Sequence, residues 1–293
     1  MTPIFIVAAP RSGTTFLGEF LSIHPQVASW HEPYFIWQFK LKKQKNDYLT
    51  ADLATEDTKK FIRKQFKIYA SKSNKPILVE KTPVNAFKME FINNVFPDAK
   101  WIHLYRDGRA VVNSLKYRYQ RRYEIVKNNS VRQFLQDVLY TLKRQPFWRF
   151  RIMAIFYEII QRNHILPYLT KDKHDIVFGP KYLNWEKDRK LLSDIEFMAK
   201  QWVESEEAIY KCRHLIANES IIDLRYEDLI SMPESALSRI CEHLKIDCQP
   251  YLCNINKIDA TSKAIWQSGL TTNELDLISP IIMDTQLRLG FGE

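Results

Sequence analysis

Six residues near the start of the chain, Pro10-Arg11-Ser12-Gly13-Thr14-Thr15, place a cation, a permissive glycine and three hydroxyls in a single turn. That mixture suits an oxyanion. Where a tight turn opens a helix, backbone N–H groups converge on one point and the helix dipole favours negative charge there. The nucleotide-triphosphate loop G-x-x-x-x-G-K-[ST] works in this way, and its lysine reaches the β/γ-phosphates. Laid on that template, Ala8 replaces the first glycine, Gly13 matches the second, Thr14 replaces the lysine and Thr15 keeps the hydroxyl position. The cradle survives, the γ-phosphate lysine is gone, and the magnesium site that accompanies it loses its support. The remaining cation is Arg11, whose fork suits a tetrahedral oxyanion. The plain alternative is a strand-to-helix turn with Arg11 facing solvent.

The elements that must position these residues can be read from apolar periodicity. Ile4 to Ala8 is a wholly apolar run, as in a central parallel strand buried on both faces. Thr14 to Ser22 reads as a helix with Phe16, Leu17, Phe20 and Leu21 on one stripe. Pro76 opens an Ile77-Leu78-Val79 strand that Lys81-Thr82-Pro83 closes, and a helix follows through Phe87, Phe91, Ile92 and Val95 to Pro97. A third strand, Trp101 to Tyr105, ends at Arg106-Asp107-Gly108 and feeds a basic helix through Val111, Val112 and Leu115. Strand–turn–helix units in series predict an α/β fold of P-loop type, a doubly wound parallel sheet flanked by helices. Ligands of such sheets bind at the strands' carboxyl ends. Arg11, Lys81 and Arg106 all fall there.

A last strand, Ile221 to Leu224, runs into Arg225-Tyr226-Glu227-Asp228, and a helix begins near Pro233 with proline in its first turn. Residues 124–217 differ: aromatic, basic and mostly helical, with one candidate strand at Ile176 to Phe178. They read as a helical insertion on the acceptor side of a single domain spanning 1–293. Neither an internal repeat nor a low-complexity linker interrupts the chain.

Composition narrows the partners. Hydrophobic residues make up 45% and charged residues 26%, as in ordinary globular chains. The formal net charge of +9 calls for an anionic ligand, a polyanionic partner or a membrane surface. No run approaches the ~20 apolar residues of a spanning helix. The most apolar helix candidate, Ile152 to Leu169, is broken by Glu158, Gln161, Arg162 and His164. The N-terminus enters Ile4-Phe5-Ile6-Val7 without a basic n-region, so no signal peptide is expected. Cys212, Cys241, Cys248 and Cys253 form no C-x-x-C pair, which predicts reduced thiols in a cytoplasm and no metal site.

Pro10 to Thr15 resembles the 5′-phosphosulfate loop of sulfotransferases that use 3′-phosphoadenosine-5′-phosphosulfate (PAPS), in the bacterial-type branch related to the tyrosylprotein sulfotransferases. The resemblance covers 4–35, 76–97, 100–118 and 221–246, and leaves about 124–200 unmatched. It implies that Arg11, Ser12, Gly13, Thr14 and Thr15 hold the phosphosulfate. It also implies that Trp101 to Arg109, followed by Ser114, form the 3′-phosphate block. Arg106 lies at a strand end, while Ser114 and Arg118 are four apart and share one helix face. Two guanidiniums and a hydroxyl could thus meet one phosphate, and Arg118 matches a second cofactor-binding arginine of the tyrosylprotein branch. Arg109 sits about 140° around the helix from Ser114 and suits a salt bridge or solvent. Asp107 suits a helix N-cap better than a magnesium ligand.

The resemblance further implies that Glu32, in Ser29-Trp30-His31-Glu32-Pro33-Tyr34-Phe35, is the general base for the acceptor hydroxyl. A carboxylate near Arg11 and Lys81 would stay ionised. The alternatives are simple pairing with one of those cations, or His31 as the base. The cytosolic small-molecule enzymes take a histidine base from a Lys-Thr-His block, where this chain reads Lys81-Thr82-Pro83. Lys81 suits the bridging oxygen of the leaving group. Tyr226, in a block resembling R-Y-E-D-L, would lie near the adenine or pack under the sheet. Ser262 matches a serine near the transferring group, in a segment, Ala260 to Leu270, that departs from the family's glycine-rich loop.

The expected reaction is in-line sulfuryl transfer from PAPS to a saccharide, lipid or tyrosine hydroxyl, without a metal. Two rivals stand beside it. One is a P-loop nucleotide kinase-like enzyme. The other is a non-catalytic polyanion- or nucleic-acid-binding protein using Lys116, Arg118, Arg121 and Arg122 with Tyr117, Tyr119 and Tyr123 between them. The aromatic residues at 134–168 (Phe134, Tyr140, Phe147, Trp148, Phe150, Phe156 and Tyr157) could line an acceptor pocket or simply be core.

Overall fold

The computed structural model describes residues 2–39, 41, 44–127, 136, 139, 143, 145, 147–160, 177–258 and 265–292. Its centre is a sheet of five parallel strands: β1 (Pro3–Val7), β2 (Val27–His31), β3 (Ile77–Lys81), β4 (Lys100–Tyr105) and β5 (Ile221–Arg225). Their order is β2-β3-β1-β4-β5. Every residue of β1 is buried, as the continuous apolar run requires. Side chains alternate between faces, so Phe5 and Val7 enter one core while Ile4 and Ile6 enter the other. The first core is aromatic: the Phe5 ring lies 5.1 Å from Trp101 and 5.9 Å from both Trp37 and Phe66. Leu17, Phe20 and Leu21 of helix α1 (Thr14–Leu21) close the second core, beside Val79, Ile102 and Leu224.

The parallel register levels the strand tips. Ile6 pairs with Lys81, His31 with Lys81, Val7 with His103 and Tyr105 with Arg225. The groups that follow each strand therefore emerge side by side, in the order Glu32, Lys81, the 8–13 loop, Arg106 and Tyr226.

The strands expected at 4–8, 77–79, 101–105 and 221–224 are present within a residue or two of their expected ends, and β2 is an addition. Its Val27-Ala28-Ser29-Trp30-His31 carries polar side chains and forms the sheet edge against β3. Helices α2 (Tyr34–Trp37) and α3 (Glu56–Ser73) are further additions, the latter capped by Thr55 and ended at Asn74 in the left-handed conformation. The helix expected after Pro83 is split into a 3₁₀ segment, Pro83–Lys88, and α4, Met89–Val95. Of the candidate strand at 176–178, the first residue lies outside the described residues and the other two form no strand. Val177 and Phe178 run without strand pairing, and Gln201 Nε2 holds the Phe178 and Pro180 carbonyls at 3.0 and 3.1 Å.

The helical character expected for 124–217 holds for the described helices 148–160, 185–191 and 194–212. Ser193 and Glu196 form a capping box that starts the last of these. That helix packs on α5 (Gly108–Lys127) and on the 272–288 helix. Phe150 is core, Phe147 is partly buried, and Trp148 is 70% exposed. Phe134 and Tyr140 lie outside the described residues, as do the side chains of Phe156 and Tyr157.

Candidate active site

The loop after β1 turns by means of two left-handed residues, Arg11 at φ 68° and Gly13 at φ 93°, on either side of Ser12. Alternation of this kind turns successive N–H groups into one concavity. Gly13 is fixed twice over. Its φ disfavours a side chain, and an added Cβ would lie 2.5 Å from Cδ2 and Cε2 of Tyr226. Gly13→Ala should therefore cost about 1–3 kcal/mol from backbone strain alone, read by denaturant unfolding. Adding Tyr226→Ala should relieve the clash but not the strain.

Tyr226 ties the loop to the neighbouring strand tips. The Arg106 guanidinium lies 4.2 Å above its ring centroid, and Arg106 Nη1 donates to the Arg11 carbonyl at 3.1 Å. Arg11 Nε donates to Ser114 Oγ at 3.0 Å. Arg11, Arg106, Ser114, Gly13 and Tyr226 are thus one connected set drawn from three strand tips and α5. Ser12 is fully buried, and its Oγ has no hydrogen-bond partner among the described residues. An unsatisfied buried hydroxyl in such a loop fits an incoming oxyanion.

The Arg106 turn is held from behind. Trp202 Nε1 donates to the Arg106 carbonyl at 3.2 Å, and Gly108 N donates to Gln286 Oε1 at 2.9 Å. A Cβ on Gly108 would sit 2.9 Å from the Trp202 ring, so only glycine admits this approach. Asp107 Oδ1 caps α5 by accepting the Arg109 N–H at 2.8 Å. Its carboxylate also receives Arg109 Nη2 at 2.8 Å and Gln286 Nε2 at 3.0 Å. Burial pushes the Asp107 carboxyl up, but the hydrogen bonds from Arg109 and Gln286 outweigh it and hold the group below its ordinary range. Arg109 is thus a salt-bridge residue, and the carboxylate that a magnesium-ligand reading would need is engaged.

On the other side of the loop, Lys81 is wholly buried. Its Nζ donates to Glu32 Oε1 at 2.7 Å and to Thr15 Oγ1 at 3.0 Å. Glu32 follows β2 at φ 53°, donates its N–H to the Lys81 carbonyl at 2.9 Å, and keeps its side chain 24% exposed. The carboxylate is therefore both charge-paired and open to solvent. His31 is turned elsewhere: its Nε2 meets Ser29 Oγ at 3.1 Å, against Gly18 of α1. Glu80 is the preceding strand residue, is fully buried, and is bonded by Thr82 and Asn85. Burial pushes it up to about 7.

Arg118 is exposed, with its guanidinium 5.0 Å above the Phe178 ring. The expected basic stretch on α5 is divided. Lys116 Nζ is paired with Glu274 at 2.7 Å, and Tyr119 is buried with its hydroxyl donating to the Phe178 carbonyl at 3.0 Å. Tyr117, Arg118, Arg121 and Tyr123 remain exposed beside them. Ser262 lies outside the described residues. Trp202, Glu206 and Gln286, which brace the strand tips, carry no spacing signal in the sequence, whereas Glu227, which accepts the Asp107 N–H at 3.2 Å, lies within the 225–228 block. All four cysteines are free, and no helix among the described residues is long and apolar enough to cross a membrane.

Comparison with known proteins agrees with this architecture. Protein-tyrosine sulfotransferase A of Caenorhabditis elegans is 29% identical over 124 residues, covering 38% of this chain and 32% of that protein. Human protein-tyrosine sulfotransferase 1 is 30% identical over 125 residues, covering 39% and 34%. The chain thus matches about a third of the length of these relatives. Among solved structures, the sulfotransferase domain from the curacin biosynthetic pathway superposes with a TM-score of 0.55 over 99% of both chains at 16% identity, a likeness of fold. The model of the sulfotransferase family matches residues 3–165 and 173–250, most of the chain. By that match, the chain belongs to the sulfotransferase family.

Proposed function

We propose that the protein transfers a sulfuryl group from PAPS to a hydroxyl of an acceptor, with Glu32 as general base and the whole chain acting as one domain. The observation that carries this reading is the row of strand tips: Glu32, Lys81, the Arg11–Thr15 loop, Arg106 and Tyr226 stand side by side in sheet order. A donor with two separated anionic groups fits that row. Arg11, Ser12, Gly13, Thr14 and Thr15 would receive the phosphosulfate, and Arg106, Ser114 and Arg118 the 3′-phosphate. Tyr226 packs on both Gly13 and Arg106 and would orient the adenosine side, with Ser262 a further contact near the transferring group.

In the reaction, Glu32 accepts the acceptor's hydroxyl proton. An oxygen–sulfur bond forms as the bond from sulfur to the bridging oxygen breaks, and adenosine 3′,5′-bisphosphate leaves with the electron pair. Lys81 and Arg11 face the charge that develops on the leaving group, as in phosphoryl transfer, where positioning and charge stabilisation dominate. In the unliganded site Lys81 and Glu32 hold one another. An anion at Lys81 would weaken that pairing and release the carboxylate for the proton. The net charge of +9 supports an anionic donor and an anionic acceptor, and four free thiols support a cytoplasmic setting.

The test pairs thermal shift by adenosine 3′,5′-bisphosphate with transfer from radiolabelled PAPS to saccharide, lipid and tyrosine-peptide pools. At a ligand concentration of about 100 Kd, binding should add about 2.7 kcal/mol of stability, with or without magnesium. Stabilisation by magnesium–ATP, with none by the bisphosphate, would instead select the kinase-like reading.

A further inference from the structure

Beneath the anion loop two buried ionisable groups, His103 and Glu206, meet a half-exposed carboxylate, Asp223, and the transfer mechanism gives none of the three a part. His103 on β4 is 6% exposed, and Glu206 on the 194–212 helix is 2% exposed. His103 Nε2 lies 2.9 Å from Glu206 Oε2, and Nδ1 lies 2.8 Å from Asp223 Oδ1 on β5. Both ring nitrogens thus face carboxylate oxygens. An imidazolium supplies two N–H donors, whereas neutral imidazole supplies one. The second oxygen of Glu206 reaches the loop itself: the Ala9 N–H donates to Oε1 at 3.3 Å. Ala9 in turn accepts the Ser12 N–H on its carbonyl at 3.4 Å. Glu206 therefore grips the residue on which the turn around Ser12 closes.

We propose that Glu206, oriented by His103 and Asp223, is a positioning residue that fixes Ala9 and so sets the loop's N–H groups for the donor's phosphosulfate. The identity of that ligand rests on the sulfotransferase reading given above; the grip on the loop does not.

Charge makes the grip depend on a proton. Burial pulls His103 down, but Glu206 and Asp223 outweigh it and raise the ring to about 9. Every packed element contributes to its surroundings. β5 supplies Asp223, which lies 3.8 Å from Arg213 Nη2 and near Arg239; the 194–212 helix supplies Glu206; β4 itself supplies Tyr105, whose ring centroid is 5.5 Å away. The folded value stands above the ordinary 6.5, so the contribution to stability is full below about 6.5 and is lost as pH rises through about 9. Loss of the proton leaves one carboxylate without its donor and adds negative charge below an anion site.

Hydrogen exchange over residues 8–15 of the unliganded full chain tests this, alongside calorimetric binding of adenosine 3′,5′-bisphosphate. Wild-type protection, corrected for intrinsic exchange, should fall between about pH 8 and 10. Glu206→Ala should lose about tenfold in protection and in bisphosphate affinity at pH 7. Glu206→Gln separates grip from proton: its amide oxygen can still accept from Ala9, and its N–H can donate to a neutral ring. It should stay within about twofold of wild type at pH 7 and show no titration up to pH 10. Unchanged protection in Glu206→Ala would overturn the proposal, and so would a wild-type titration in Glu206→Gln. Should Glu206→Ala fail to fold, the Gln comparison decides by itself. Should the wild type bind no bisphosphate, the donor assignment fails while the exchange data still decide the grip.

Discussion

Glu32→Gln is expected to lower kcat by about 10²–10⁴ while changing the Kd for adenosine 3′,5′-bisphosphate by no more than about twofold. The amide is nearly isosteric, so Lys81 keeps an oxygen partner at 2.7 Å and Thr15 at 3.0 Å, but a proton acceptor is lost. Single-turnover transfer from PAPS, measured beside calorimetric binding, separates the two effects. Full turnover in a folded variant would remove Glu32 from the mechanism, and His31 would then have to be tested in its place.

Lys81→Met is expected to cost about 10²–10³ in kcat, the loss typical of removing one preorganised donor from a developing charge. Methionine fills much of the lysine's volume, which matters because Lys81 is wholly buried. A second signature follows from the ion pair. The Lys81 ammonium favours the ionised form of Glu32. Without it, the acid limb of the kcat/KM profile should move to higher pH, because the base is then protonated over a wider range. A variant with reduced kcat and an unmoved acid limb would show that Lys81 and Glu32 are not coupled during turnover.

The fold was legible wherever burial on both faces left an uninterrupted apolar run. β1 and the 77–79 stretch of β3 are such runs. The 101–105 and 221–224 stretches of β4 and β5 are apolar but for His103 and Asp223 within them, and the turns after β1, β3 and β4 placed Arg11, Lys81 and Arg106 at carboxyl ends. β2 was not legible, because an edge strand with one partner tolerates Ser29 and His31, and no hydrophobic period remains to be read. Local chemistry carried well across short distances: Asp107 as a cap and Arg109 as its ion-pair partner sit two residues apart. The α5 stretch was left open because charge read along a helix says nothing about what packs on it. Glu274 arrives from another helix to pair with Lys116, and Tyr119 turns inward. The brace behind the site was invisible for the same reason. Trp202, Glu206 and Gln286 owe their roles to approach through the fold rather than to neighbours in sequence.

That brace has a consequence for how the protein comes into being. The indole that holds the Arg106 carbonyl lies 96 positions downstream, and the amide that holds Gly108 lies 178 positions downstream. Contacts this remote are the entropically expensive ones, made late in folding. A nascent chain leaving the ribosome thus exposes Arg106, with the helix that follows it, well before Gln286 has been translated. The Arg106 end of the candidate site is assembled last, so a polypeptide stalled before residue 286 should carry the β1 loop and Lys81 yet lack a finished Arg106 turn.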